Sequence, residues 1–153
     1  GKVRFISISA DGDAAQKAIE IGDYDTLQIT YNVLDQAQGE ILAAAREKDI
    51  GTIIKQPIAN AVFVGADGPE GENPSAGLAE RGKTLLSPDV IGDIPPIEVA
   101  LRWLLNDPNV HTAIVGTTNF AHLEANVAAV ERGPLEEDVV GEVAKRWRLT
   151  DNR

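Results

Sequence analysis

Cysteine is absent from this 153-residue sequence, which excludes both a disulfide framework and a thiolate metal site. Histidine occurs only twice, too rarely for a zinc site built from three histidines. The sequence also lacks an apolar run of the roughly 18–20 residues that a membrane-spanning helix requires, and it shows no signal peptide. We therefore expect no membrane partner. A reducing compartment such as the cytoplasm fits the lack of cysteine.

Basic residues are scarce, with 14 Lys and Arg against 24 Asp and Glu and a net charge of −10. Nucleic acid or an anionic membrane surface would require a basic face, so we expect neither as a partner. Hydrophobic residues make up 43% of the chain, which is enough for a packed core. Methionine is absent and the chain starts at Gly1. We expect either a tag residue at the start or a piece of a longer protein.

Strand-like and helix-like patterns alternate along the chain. Strands are predicted at 3–9, 26–31, 52–56 and 112–115, each followed by helical spacing at 14–21, 38–48, 96–105 and 121–130, with a last helix at 135–147. We expect Asp11 or Asp13 to cap the first helix, Gly22 to end it, and Gly51 to stop the second. The Gly- and Pro-rich segment 59–96 is predicted to be a long loop with one short helix near 79–86.

Strands that alternate with helices predict an α/β fold, in which helices cover a parallel sheet. Four such units could form a small open sheet of the flavodoxin type. They could equally form half of an eight-unit (β/α)8 barrel. Periodicity and composition leave both architectures open.

Several short motifs, in one consistent order, favour the barrel. They are GKVRFI at 1–6 with Ser9, LQITYN at 27–32, AAREKDIG at 44–51, Pro57, ALRWLL at 100–105, and IVGTTN at 114–119 followed by His122, Leu123 and Asn126. Together they resemble the fifth to eighth β/α units of the aldo-keto reductases. The resemblance implies half of a TIM barrel, with parallel strands, outer helices and an extra C-terminal helix, as a single half-barrel domain over 1–153.

In this family a nicotinamide cofactor lies across the carboxyl ends of the strands. The resemblance places Ser9 and Gln28 where they would hold the nicotinamide carboxamide, which needs both a donor and an acceptor. Two residues depart from the family pattern, since Ala10 replaces a frequent asparagine and Lys55 replaces the tyrosine that stacks on the ring. A lysine there would favour the neutral, reduced ring. Alternatively, Lys55 points to solvent or to an acidic partner.

A second candidate binding element is the turn Gly116-Thr117-Thr118-Asn119, which precedes the helix predicted at 121–130. Helix N-termini attract phosphate through their backbone N–H groups. The resemblance assigns this turn to the adenosine 2′-phosphate and the nearby Asn126 to the adenine. The alternative is that Thr118 and Asn119 only cap the helix.

The charge at this second element differs from the family pattern. Gly116 and His122 stand where many members have a lysine and an arginine. We therefore expect NADP or NAD as the cofactor, with weak selection between them. His122 would restore part of the missing charge, because histidine gains a proton near neutral pH.

The family's catalytic tyrosine, lysine, aspartate and histidine belong to the first half of the barrel, and nothing in this sequence matches them. Tyr31 ends a strand, Tyr24 lies in a turn, and His111 lies at the start of a strand. We therefore expect an aldo-keto reductase-like NAD(P)H-dependent oxidoreductase portion that carries a cofactor cradle and is inactive alone.

Three interpretations remain open for such a chain. It is a fragment of a reductase whose N-terminal half is missing, a stand-alone half-barrel that forms a homodimer or joins another half, or a non-catalytic binding or assembly protein. Open sheet edges need cover. A half-barrel would also expose the strand faces that normally point into the barrel, so we expect a large apolar interface on the strands. Its predicted residues are Ile6, Ile8, Leu27, Ile29, Ile53 and Ile114.

Overall fold

The computed structural model describes residues 1–64 and 76–150, and its centre is a parallel sheet of four strands in the order β1-β2-β3-β4. The strands are β1 (Ser7–Ser9), β2 (Thr26–Thr30), β3 (Gly51–Lys55) and β4 (Thr112–Ala113). Neighbouring strands pair in register, so that Ser9, Gln28, Ile53 and Thr112 form one row across the sheet. The predicted α/β class with parallel strands is confirmed.

Helices follow the strands in the predicted alternation. They are α1 (Gly12–Ile21), α2 (Gly39–Glu47), α3 (Ala76–Leu85), α4 (Pro88–Ile91), α5 (Pro96–Leu105), α6 (Phe120–Glu131) and α7 (Glu137–Thr150), with a 3-10 segment at Ala59–Val64. The segment predicted as a long loop is therefore largely helical where it is described. The predicted glycine-rich part at 65–75 lies outside the described residues.

The helices that the structure describes cover one face of the sheet. Burial alternates along the central strands, so that Leu27, Ile29 and Ile54 are buried, whereas Gln28 and Ile53 between them are only half-buried. The buried set packs against residues of the surrounding helices, including Ala15, Ile19, Leu42, Ala45, Val99 and Leu104. Because successive strand side chains point to opposite faces, the core formed by the described residues lies between the sheet and its helices.

The uncovered face of the sheet is mainly polar, which corrects the expectation of a continuous apolar interface. Of the residues predicted for that interface, Leu27 and Ile29 lie in the helix-covered core, and Ile8 packs against it. The residues that alternate with the core positions make up the open face, namely Ser7, Ser9, Thr26, Gln28, Thr30, Ile53, Lys55, Thr112 and Ile114. The prediction is wrong for Ile8, Leu27 and Ile29, because it pooled apolar residues without assigning each one to a face.

Both edge strands are shorter than predicted. The first begins at Ser7 rather than at residue 3, and the fourth ends at Ala113. Val3 and Phe5 are exposed before β1, so this strand is an edge and not the buried strand that its composition suggested. Strand regularity depends on ladder partners, and each of these strands has a partner on one side only.

The ends of the first two helices show one correct and two incorrect sequence expectations. Gly22 ends α1 in the left-handed conformation, with φ 75°, as predicted. Asp11 stands at the N-cap of α1, but its carboxylate does not cap the helix. The chain leaves α2 through Asp49, with φ 56°, whereas Gly51 is the first residue of β3. A Cβ at Gly51 would lie 3.2 Å from a methyl carbon of Thr26, which explains a glycine there.

A buried carboxylate joins α5 to the α6–α7 connection. Glu98 is buried and accepts hydrogen bonds from Arg102, at 2.9 Å, and from Arg132. The same Arg102 donates to the carbonyl oxygens of Gly133 and Pro134 at 2.8 and 2.7 Å. Since a buried charge is tolerated only when it is paired, this cluster fixes the C-terminal end of α6 against α5.

The last helix is tied to the segment that replaces the predicted loop. The Arg146 guanidinium of α7 donates to the carbonyl oxygen of Thr84, to the Ser87 hydroxyl and to the Asp89 carboxylate, at 3.1, 3.1 and 2.7 Å. These bonds bring α7 against the junction of α3 and α4, while Val143 enters the core. The extra C-terminal helix is therefore confirmed, although it runs to Thr150 rather than to residue 147.

An isoleucine-to-alanine substitution should lower the free energy of unfolding by different amounts on the two faces of the sheet. Ile29→Ala removes a fully buried side chain and should destabilise the fold by about 2–5 kcal/mol, because it leaves a cavity. Ile114→Ala, at a residue that is 51% exposed, should cost less than about 1 kcal/mol. Urea denaturation of both variants measures the difference. Equal losses would contradict the one-sided core.

Candidate functional site

A cleft of about 820 Å³ opens at the carboxyl ends of β2, β3 and β4. Its walls come from the sheet, from the turn after β3, from the start of α5 and from the N-terminal half of α6. The lining residues are Gln28, Lys55, Gln56, Pro57, Ile58, Asn60, Ala61, Ile97, Ile114, Val115, Gly116, Thr117, His122, Ala125 and Asn126. The volume lies in the range of small-molecule and cofactor sites.

Most of the residues predicted to bind a cofactor line this cleft together, namely Gln28, Lys55, Gly116, Thr117, His122 and Asn126. Ser9 lies beside it, with its hydroxyl 3.4 Å from the Lys55 ammonium. Thr118 and Asn119 lie outside the lining. The fold thus joins two predicted half-sites, one on the sheet and one on α6, that are separated by about half of the chain.

Lys55 does not point freely into solvent. Its ammonium lies 2.8 Å from the Asp11 carboxylate, the acidic partner that the alternative interpretation required. The other carboxylate oxygen of Asp11 accepts the backbone N–H of Thr30 at 2.7 Å. Asp11 was expected only as a helix cap. Its position two residues after Ser9 was the one sequence signal that it could reach the open face.

The electrostatics of Asp11 follow from these contacts. Partial burial acts to raise the pKa of its carboxyl group. The hydrogen bond from Lys55, the bonds from Thr30 and the charge of Lys55 outweigh that effect, so the pKa lies below its ordinary value of 3.8. Asp11 is therefore ionised at neutral pH and balances the charge of Lys55.

The N-terminus of α6 is capped by its own sequence. The Asn119 side chain accepts the N–H of Ala121 at 3.0 Å, and the Thr117 hydroxyl accepts the N–H of Asn119 at 3.1 Å. The alternative interpretation of Asn119 as a helix cap is thus confirmed. The cap uses two of the backbone groups that were expected to face a phosphate, whereas Thr117 and Asn126 still line the cleft.

The floor of the cleft has a strained backbone that the sequence patterns did not indicate. Gln56, Ala59, Asn60 and Ala61 have positive φ angles of 54°, 47°, 54° and 59°. Such angles are costly for residues other than glycine. Pro57, which follows β3, was the one sequence signal for an irregular turn here.

Asn32 holds this floor in place. It is buried, and its amide donates to the carbonyl oxygen of Gln56 at 3.1 Å while its own oxygen accepts the N–H groups of Leu34 and Asp35 at 2.9 and 3.0 Å. All the polar atoms of this side chain are thus satisfied, as burial requires. The end of β2 therefore fixes the backbone that follows β3.

The remaining candidate acid–base residues are structural. Tyr31 is buried against Trp103 with ring centroids 5.5 Å apart, and its hydroxyl donates to Asp107 at 3.3 Å. Burial, and then the nearby Asp107 charge, raise the pKa of Tyr31 well above its ordinary range. His111 accepts the N–H of Thr52 through Nδ1 at 3.0 Å. Neither side chain lines the cleft.

Across residues 1–64 and 76–150, no three His, Asp or Glu side chains come close enough to hold a metal ion. Over the same ranges, no helix has the length and apolar character to cross a membrane.

Comparisons with known proteins agree with this architecture. A model of the aldo/keto reductase family matches residues 1–148, and the chain belongs to this family. Over 145 residues it is 24% identical to the NADH-specific methylglyoxal reductase of Escherichia coli (strain K12), a match that covers 85% of this chain and 44% of that protein.

Solved structures give the same result for the fold. An aldo-keto reductase of Bacillus halodurans in its holo form superposes with a TM-score of 0.78 at 22% identity, over 95% of this chain and 51% of that chain. Its apo form superposes with a TM-score of 0.71 at 22% identity, over 89% and 49%. The chain thus spans about half the length of the relatives that it matches. Because those structures are TIM barrels, the barrel is favoured over the flavodoxin-type sheet.

The pair of Asp11 and Lys55 predicts a pH-dependent stability. Because the pKa of Asp11 is lowered in the folded state, its contribution is present above the ordinary value of 3.8 and is lost as the pH falls through the folded value. Asp11→Asn keeps an acceptor for the Thr30 N–H and should cost roughly 0.5–1 kcal/mol at pH 7, since both ions are partly exposed. Urea denaturation at pH 7 and pH 3 should show this cost shrinking in acid. A cost independent of pH would contradict the ion pair.

The strained floor predicts that one glycine substitution stabilises the protein. Ala61→Gly removes the penalty of a positive φ and should raise the free energy of unfolding by about 0.5 kcal/mol. Ala129→Gly, at a buried position inside α6, is the matched control and should lower it by about 1 kcal/mol. Thermal or urea denaturation compares the two. A loss in both variants would show that the floor is not strained.

Proposed function

We propose that this chain is the cofactor-binding, C-terminal half of an aldo-keto oxidoreductase, corresponding to the fifth to eighth units of the barrel. The observation that carries the proposal is the cleft, which joins Gln28 and Lys55 on the sheet to Thr117 and Asn126 at α6. Fold alone would not justify a function. A site whose polar groups converge at the carboxyl ends of parallel strands does support one.

The residues present fit a nicotinamide dinucleotide. Gln28 offers a donor and an acceptor to a carboxamide, and the Ser9 hydroxyl lies in the same row of the sheet. Ile114 and Val115 supply apolar walls for flat rings, and Asn126 can hydrogen-bond an adenine edge. When bound, the nicotinamide supplies the hydride. The residues of this chain bind it and orient one face of the ring.

The cleft should discriminate only weakly between NADP and NAD. Among the described lining residues, Lys55 is the only one with a permanent charge, and it lies at the sheet end. Among the lining residues described at the α6 end, none carries a permanent positive charge that could pair with a 2′-phosphate. The name of the Escherichia coli relative, an NADH-specific reductase, supports use of NAD.

Carbonyl reduction requires a second half that supplies the proton donor. Tyr31 is buried and hydrogen-bonded away from the cleft, so it cannot take that role. The two open sheet edges and their exposed apolar neighbours support such a partner, because these surfaces need cover. The neighbours are Val3, Phe5 and Ile6 beside β1, and Ile114, Phe120, Leu123, Val127 and Val130 near β4. We propose that the assembled protein works in the cytoplasm.

The same edges favour a second candidate, a stand-alone half-barrel that self-associates. Two copies could pair the β1 edge of each with the β4 edge of the other and close eight strands. The net charge of −10 on each copy opposes this pairing. Light scattering at low and high salt distinguishes the candidates, since a screened homodimer should strengthen with salt, whereas a chain that awaits a different half stays monomeric.

Nucleotide titration tests the cofactor proposal directly. The folded chain should quench or enhance the fluorescence of both NADH and NADPH. Gln28→Ala should weaken both by roughly fivefold to tenfold, because each loses the same hydrogen bonds at the nicotinamide. ADP-ribose lacks the nicotinamide, so it should bind the wild-type chain and the Gln28→Ala variant with the same affinity. Gln16→Ala, at an exposed position of α1, is the control and should change nothing. A folded chain that binds none of these nucleotides would refute the proposal.

A further inference from the structure

Asp11 stands at the N-cap of α1, but its side chain does not accept a hydrogen bond from the first turn of the helix. Its backbone has the extended conformation of a cap, with φ −132° and ψ 160°, yet its carboxylate makes no bond to the first turn of α1. The N–H of Gly12 instead donates to the Gln38 side chain at 3.1 Å. A free N-cap carboxylate normally stabilises its helix, so its diversion to the open face of the sheet needs another explanation.

Part of that explanation is structural. β1 ends at Ser9, and Asp11 accepts the N–H of Thr30 at the point where the β1–β2 ladder stops. A neutral side chain such as asparagine could accept this bond equally well. The second oxygen, 2.8 Å from the Lys55 ammonium, is the one whose negative charge matters.

The position of Lys55 gives that charge a consequence for ligands. Lys55 is paired in register with Thr30, and it lines the cleft beside Gln28. No acidic side chain occurs among the described residues that line the cleft. Asp11 is therefore the group that decides whether the sheet end of the cleft presents a net positive charge or a balanced ion pair.

We propose that Asp11 is a positioning residue that holds and neutralises Lys55, and that this pairing sets the relative affinity of the cleft for oxidised and reduced nicotinamide. The inference rests on the proposed function and deepens it. The oxidised ring carries a positive charge and the reduced ring is neutral, so an unpaired ammonium would repel only the oxidised form. With Asp11 in place, the ion pair has no net charge, so the sheet end of the cleft does not repel the oxidised ring.

Removing the charge of Asp11 and removing the charge of Lys55 should change the relative affinity for NAD⁺ and NADH in opposite directions. Dissociation constants for NAD⁺ and NADH are measured with the wild-type chain, Asp11→Asn, Lys55→Met and the double variant. The ratio of the NAD⁺ constant to the NADH constant should rise about threefold to tenfold in Asp11→Asn, because partly exposed charges interact modestly. It should fall by a similar factor in Lys55→Met, which leaves the carboxylate unpaired. The double variant should return the ratio close to that of the wild type.

Asp13→Asn is the matched control, since it removes an exposed carboxylate from the first turn of the same helix and should leave the ratio unchanged. The effect of Asp11→Asn should also weaken at high salt. If both forms bind and the ratio is the same in all the variants, this inference is overturned and the proposed function stands. If the wild-type chain is folded by circular dichroism and binds neither form, both are overturned.

Discussion

The one-sided burial of a four-stranded parallel sheet is the constraint on which this structure depends. Helices pack on the face that carries Leu27, Ile29 and Ile54, and the alternation of strand side chains sends the intervening residues to the other face. An isolated sheet usually buries both faces when its strands are parallel. Here the second face is mainly polar, so it can hold functional side chains.

The cleft is a consequence of that arrangement. Parallel strands bring their carboxyl ends to one edge, so Gln28 and Lys55 line the same cleft although they lie on different strands. The rigid base continues beyond the strands, because the buried Asn32 fixes the carbonyl oxygen of Gln56 and hence the left-handed turn that follows. The polar face, the ion pair and the strained floor thus form one connected surface.

The sequence predicted most of the fold because helical and strand periods are local signals. It correctly indicated the alternation of strands and helices and the left-handed Gly22. Six of the nine residues predicted to bind a cofactor lie along one cleft, and their role stays a prediction. It could not show the length of β1 or β4, since this depends on missing ladder partners. It assigned Leu27 and Ile29 to the wrong face because composition alone does not say which side of a strand is covered.

The most informative residue of the site was the least visible in the sequence. An aspartate before a helix has a common local explanation as a cap, and this explanation concealed the contact of Asp11 with Lys55. The contact joins residues that are distant in sequence and depends on the register of three strands. Asn119 shows the reverse case, because its local role as a cap is the one that the structure contains.

The two walls of the cleft differ greatly in how firmly they are anchored. In α6 only Ala129 is buried, and the Glu98–Arg102–Arg132 cluster secures the C-terminal end of the helix, whereas its N-terminal half lines the cleft. The sheet wall belongs to the core. Local opening should therefore follow the order of burial, with the amide protons of α6 exchanging with solvent long before those of β2 and β3. A ligand that bridges the cleft would slow exchange mainly in α6, so exchange in this helix would report occupancy while exchange in the sheet stays unchanged.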